Sequence, residues 1–271
     1  MAAKLWRSTS TADWHAAFAS YDDALASLQK DGLVALDDWM QNELPQTLRA
    51  REPAPFLTQA ELARLMRWKL TKGKWRPQLM KFIDGLSDVA VRAASTKAFA
   101  ELKSDALMRA VQALSELKGV GPATASAVLA AYDNMAPFMA DEALEAIAHV
   151  IGARKYTLGH YMAFAEQMAA KAAWLTAQAA PSPDDDGSSG AWSAQRVQLC
   201  LYAAAHSRTQ SGEVAASPAK ATTAAKKRAA ASKKASGGSD DSDDDDGSAT
   251  TKKNERAVRA ATRKRRRAGD Q

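Results

Sequence analysis

A single cysteine in 271 residues, Cys200, excludes an internal disulfide framework, a zinc site built on cysteines and a four-cysteine iron–sulfur cluster. The four histidines, His15, His149, His160 and His206, fall in no recognisable metal-ligand spacing, so no metal site is expected. No apolar run approaches the roughly 18 residues needed to span a bilayer, and no membrane partner is expected. The opening MAAKLWRSTSTADW lacks the apolar stretch of a secretory signal, which points to an intracellular protein; its early Ser/Thr and lack of acids leave an organellar presequence open. Period-2 alternation is almost absent, and this argues against sheet.

What is present divides in two. Residues 211–271 hold 15 basic and 9 acidic residues, leaving 22 of each in residues 1–210, so the net charge of +6 belongs to the C-terminal part. That part is Ala, Lys, Ser, Thr, Gly and Asp with little large and apolar, too little to offset the entropy of ordering; a disordered tail is expected there. Residues 1–10 read as a flexible N-terminus and residues 11–210 as an all-α domain of helical patterns punctuated by Gly32, Pro53, Pro55, Gly73, Gly85, Gly119 and Gly121. Thr58 and Glu61 form a capping box before Leu62, Leu65 and Met66. Ser104 precedes an amphipathic helix carrying Leu107, Val111, Leu114 and Leu117 on one face. Pro181 to Gly190 reads as an exposed loop, and Trp192 to His206 as a last helix.

The stretch Leu117-Lys118-Gly119-Val120-Gly121-Pro122-Ala123-Thr124-Ala125 carries the most information. An amphipathic helix ends, two glycines flank one apolar residue, and Pro122 stands at a first helical turn, where its missing N–H costs nothing. The result is a tight helical hairpin over residues 104–133. The amides that start its second helix point outward with the positive end of the dipole, where a phosphate fits. The alternative is a structural corner without a ligand.

Between Arg64 and Lys81 stand seven basic residues and no acid. Lys69, Lys72, Lys74 and Arg76 are candidate DNA-backbone contacts, and Trp68 and Trp75 candidate stacking residues. The alternative is a solvated helix face with the tryptophans packed inward. Lys252-Lys253, nine intervening residues and then Arg263-Lys264-Arg265-Arg266-Arg267 read as a bipartite nuclear import signal, implying a nuclear location and an import receptor as partner.

Leu-x-Gly-Val-Gly-x-x-Thr-Ala resembles the helix-hairpin-helix motif of the DNA glycosylase superfamily that includes endonuclease III-like enzymes. Pro137-Phe138-Met139-Ala140-Asp141 follows 20 residues after Gly121 in the position where that family delivers its aspartate. Together with Trp68-Lys69-Leu70-Thr71-Lys72-Gly73-Lys74-Trp75-Arg76-Pro77, it resembles the eukaryotic Amun-like nuclear proteins. The resemblance implies a glycosylase-like fold and DNA as partner. It implies Gly119, Val120, Gly121, Ala123 and Thr124 as the phosphate-binding turn, with room for a monovalent cation, and Asp141 as the catalytic residue. Ala123 falls where bifunctional members place a nucleophilic lysine, so the implied enzyme is monofunctional. A carboxylate beside the sugar would stabilise the positive charge that builds as the glycosidic bond breaks. The local reading of Asp141 is a cap for a helix over Glu142 to Ile151. A catalytically inactive DNA- or protein-docking module in gene regulation is the alternative, and the linker-histone-like composition of the early tail adds chromatin proteins to the possible partners.

Overall fold

A computed structural model describes residues 1–178 and 191–207. Those residues belong to a compact unit, Met1–Gly212; a second unit, Glu213–Gln271, lies outside them, as does the expected loop at residues 181–190.

The described residues are helical throughout, with no strand among them. The order is α1 Ala2–Arg7, α2 Thr11–Ala19, α3 Tyr21–Ala26 and α4 Leu33–Asp38, a π-helical turn Trp39–Glu43, then α5 Leu44–Arg49, α6 Gln59–Lys72, α7 Pro77–Asp84 and α8 Asp88–Lys103. There follow α9 Leu107–Ser115, α10 Pro122–Tyr132, α11 Asp141–Ala146, α12 Ala148–Ile151, α13 Leu158–Gln178 and α14 Ala194–His206. The all-α expectation therefore holds for these residues.

The boundaries follow local chemistry. Thr58 accepts from the Glu61 amide while the Glu61 carboxylate takes the Thr58 amide, so both ends of the capping box close. Arg51 grips the same carboxylate at 2.5 Å. Desolvation pushes the Glu61 pKa up, but Arg51 and Thr58 together outweigh it and hold it below the usual range. Ser87 and Ser193 cap α8 and α14 through the amides of Ala90 and Arg196.

α14 is the central pillar. Val197, Gln198, Cys200, Leu201, Tyr202 and Ala203 are all buried, and the helix packs against α1, α2, α3, α11 and α13. α10 is a second buried rod, where Ala125, Ala127 and Ala131 let α9, α6 and α5 come close. Each fully buried Leu or Phe, such as Leu65, Phe99 or Phe164, stabilises the fold by about 1.5–3 kcal/mol before entropy is counted.

Three expectations are corrected. The N-terminus is not flexible: α1 buries Ala2, Leu5 and Trp6, and Trp6 packs edge-on against Trp14 at 6.4 Å. Ser104 does not start a helix but ends α8; Asp105 then takes a left-handed φ of 54° and α9 begins two residues later with Ala106 as its cap. The helix over Glu142 to Ile151 is broken at the buried Ile147, whose backbone leaves helical geometry between α11 and α12.

Candidate functional site

The turn between α9 and α10 is built on one steric requirement. Gly119 has φ +86°, and a Cβ there would stand 2.7 Å from Cβ of Phe82 on α7, so both backbone and space exclude a side chain. Val120 turns inward and is buried. Gly121 is extended, and a Cβ on it would meet nothing within 4 Å, so it faces open space. Pro122 opens α10 as the sequence implies.

Not every amide of the turn is outward. Val120 donates to Leu117 O at 3.0 Å and Thr124 to Gly121 O at 2.9 Å, and both side chains are buried. These two expected phosphate contacts are corrected: closing the turn consumes their donors. The N–H groups of Gly119, Gly121 and Ala123 donate to no backbone carbonyl among the described residues, which leaves them as the available donors.

The turn borders a cleft of about 270 Å³. Gly119, Gly121, Pro122, Ala123 and Thr124 line it from the hairpin, and Lys69, Lys72, Gly73, Lys74 and Arg76 from the end of α6 and the loop beyond. Phe138, Tyr202, Asp141, Glu142 and Tyr156 complete the wall. Phe138, Tyr202 and the ammonium-bearing Lys72 are buried, while Lys74 and Arg76 are exposed, so the buried lining joins two aromatic rings to one cation and further cations stand outside it.

Asp141 is the first residue of α11, with Ala140 as the cap. Its side chain makes no capping bond, which corrects that local reading. Instead Oδ1 accepts from the Tyr156 hydroxyl at 2.7 Å, and Oδ2 pairs with Arg154 at 3.0 Å. Arg154 also reaches Glu145 at 2.7 Å. The Asp141 side chain remains 48% exposed, so its carboxylate is held in place yet open to the cleft. Partial burial and then the Asp141 carboxylate push the Tyr156 phenol from 10.0 up to about 12.

The basic band from Arg64 to Lys81 separates into two faces. Lys74, Trp75 and Arg76 are exposed, Trp75 to 54%. Lys69 is half-buried in the cleft wall; desolvation lowers its pKa, the Asp141 charge opposes that, and Arg76 adds to it. Trp68 and Lys72 are corrected as nucleic-acid contacts, because both are buried. Trp68 Nε1 donates to Asp37 Oδ1 at 2.7 Å, and its ring packs on Phe138 at 5.1 Å. Lys72 Nζ reaches the same Asp37 oxygen at 2.9 Å, bonds to the Tyr21 hydroxyl, and sits 4.1 Å over the Tyr202 ring. Burial lowers its pKa, with Asp37 opposing.

The reason for that correction is helical. Positions 62, 65, 68 and 72 repeat at three and four residues on the buried stripe of α6, so Trp68 and Lys72 turn inward with Leu62 and Leu65. The sequence reading also missed Asp37, Tyr21, Arg154, Tyr156 and Tyr202. Only Lys72's place on the apolar stripe announced a buried counter-ion. Among the described residues no group of three His, Cys, Asp or Glu side chains is arranged to hold a metal ion. The import-signal residues Lys252, Lys253 and 263–267 lie outside the described residues. No protein-family model, curated protein or solved structure gives a significant match to the chain.

Proposed function

We propose that the domain is a nuclear DNA-binding protein with a helix-hairpin-helix, glycosylase-like fold, and that it removes a base as a monofunctional glycosylase. The amides of Gly119, Gly121 and Ala123 receive a backbone phosphate at the start of α10, where the helix dipole favours the anion. Lys74 and Arg76 add cations at the rim, and Trp75 supplies a stacking face. A base turned out of the duplex enters the cleft toward Phe138 and Tyr202. Asp141 then stabilises the positive charge developing on the sugar and orients the attacking water. The import signal brings the chain to the nucleus through an import receptor, and its tail meets chromatin proteins.

One observation carries this reading: uncommitted turn amides and a half-exposed carboxylate line a single cleft. Base release from duplexes bearing assorted lesions tests it. The full chain is expected to release base, and Asp141→Asn to lose on the order of 100-fold or more in rate, as when a preorganised charge is removed from a transition state. Equal rates in the two proteins overturn the role of Asp141.

A non-catalytic docking module is the second reading, favoured by the ion pair of Asp141 with Arg154, which already engages the carboxylate. Salt-sensitive DNA binding without release of any base supports that module over the enzyme.

A further inference from the structure

Two lysines of the domain lie among aromatic rings, and they differ in what receives their N–H groups. Lys72 sits over the rings of Tyr21, Trp68 and Tyr202 and also reaches the Asp37 carboxylate and the Tyr21 hydroxyl. Lys171, on α13, has rings alone. Its Nζ stands 4.9 Å from the ring centroid of Trp6, 5.5 Å from that of Trp14 and 4.7 Å from that of Trp174. Trp6 and Trp14 are buried and meet edge-on, so α1 and α2 supply two fixed walls; Trp174, three residues along α13 from Lys171, is half-buried and supplies the third. Among the described residues the Lys171 ammonium has no hydrogen-bond or ion-pair partner, and burial alone lowers its pKa. The π faces attract its charge but leave its three N–H donors unmet.

We propose that Lys171 is a lysine methylation site and that the three tryptophans form the cage that holds its methylated ammonium. Size and chemistry both favour that form. A methyl carbon lies about 1.5 Å from its nitrogen and meets a ring carbon best at about 3.5–4.0 Å, so a methylated nitrogen needs its rings at about 5 Å. The three distances above bracket that value. Methylation keeps the positive charge, and with it the attraction to the rings, while removing the donors that have no acceptor. Lys171 is only half-buried, which leaves it within reach of a modifying enzyme. The inference concerns α1, α2 and α13, and stands independently of the DNA reading.

The co-reactant is a sulfonium methyl donor carried by a methyltransferase. The flexible four-carbon stem brings the amine out to that donor and back into the cage. Neutral Nζ attacks the methyl carbon; an N–C bond forms as the C–S bond breaks, and the electron pair of the broken bond stays on sulfur, which leaves as a neutral thioether. The proton shed by the nitrogen passes to water or to a base of the methyltransferase. Two repeats replace the remaining N–H groups and leave a permanent cation. Back among the rings, that cation ties α13 to α1 and α2 more firmly than the bare ammonium does.

Peptide mapping by mass spectrometry of the full chain, expressed in cultured eukaryotic cells, tests the site. Methyl groups are expected on Lys171, with loss of tryptic cleavage after it; Lys171 found unmodified overturns the assignment. The cage is tested separately in the full chain carrying Lys171→Cys and Cys200→Ala. Alkylation with bromoethylamine or with bromoethyl-trimethylammonium rebuilds a lysine-like side chain without or with its methyl groups. The trimethyl form is expected to unfold about 2–4 °C higher, the size of one strengthened cation–π contact in a domain of this length. Equal midpoints, or a lower one for the trimethyl form, overturn the cage. Adding Trp174→Leu should shrink the difference between the two forms, and a difference that survives undiminished places the gain outside the three rings and overturns the cage as well.

Discussion

Two clusters in the domain are made of the same three groups, a carboxylate, a cation and a phenol. Asp37, Lys72 and Tyr21 form the first, with Trp68 as an added donor; Asp141, Arg154 and Tyr156 form the second. The side chains of Lys72 and Asp37 are each 4% exposed, those of Arg154 and Asp141 37% and 48%. In the first cluster water cannot replace a lost partner, so every bond is obligatory. In the second, water or an incoming ligand can take over any of them. Identical chemistry therefore serves as a fastener in one place and as a responsive surface in the other.

Removing one charge from each cluster should break the resemblance most sharply. Lys72→Met leaves the Asp37 anion buried without its counter-charge, and a loss of about 3–5 kcal/mol is expected in urea unfolding. A loss within the range of a surface substitution would mean that the buried cluster is replaceable.

Alkali should separate the clusters next. Burial, then the Asp37 charge, hold the Tyr21 phenol protonated well above 10. Burial also raises Tyr161 and Tyr202, and takes Cys200 from 9.0 to about 12. Between about pH 9 and 12 the folded chain thus keeps protons that the unfolded chain has lost, so stability falls as pH rises. Lys72 runs the other way, since its folded amine releases its proton before the unfolded one does, and it offsets part of the fall. Unfolding midpoints from about pH 8 to about pH 11 should decline. Tyr21→Phe should flatten that decline more than Tyr156→Phe, and equal flattening would erase the distinction.

The smallest effect on stability is expected at the rim. Arg154→Met should cost less than about 1 kcal/mol, because the pair it breaks is open to solvent. The same variant frees the Asp141 carboxylate, and a changed rate of base release with unchanged unfolding would sharpen the division between the clusters.

How much of this was legible in the chain can be traced residue by residue. The Thr58–Glu61 cap, the turn at Gly119 to Pro122 and the final helix are local features, written in consecutive side chains, and they stand where the pattern puts them. The inward set of Trp68 and Lys72 was also written there, since both continue the stripe of Leu65. For Lys72, the surrounding run of basic residues pointed to a backbone contact instead. Asp37 could not be found this way, because only the packing of α4 against α6 makes an ordinary helical acid a buried partner. Arg154 and Tyr156 sit in a short link between α12 and α13 with no periodicity to reveal their direction. Tyr202 reaches the cleft from a helix far along the sequence.

Phe82 gives the cleft a mechanical property. Its Cβ stands so close to Gly119 that nothing larger than hydrogen fits between them, and Lys118 lies over its ring at 4.9 Å. α7 packs on α6, so the two jaws of the opening are wedged together at one tooth. Widening the gap would require pulling that tooth, so the opening acts as a gauge of preset width, admitting or refusing a guest by size.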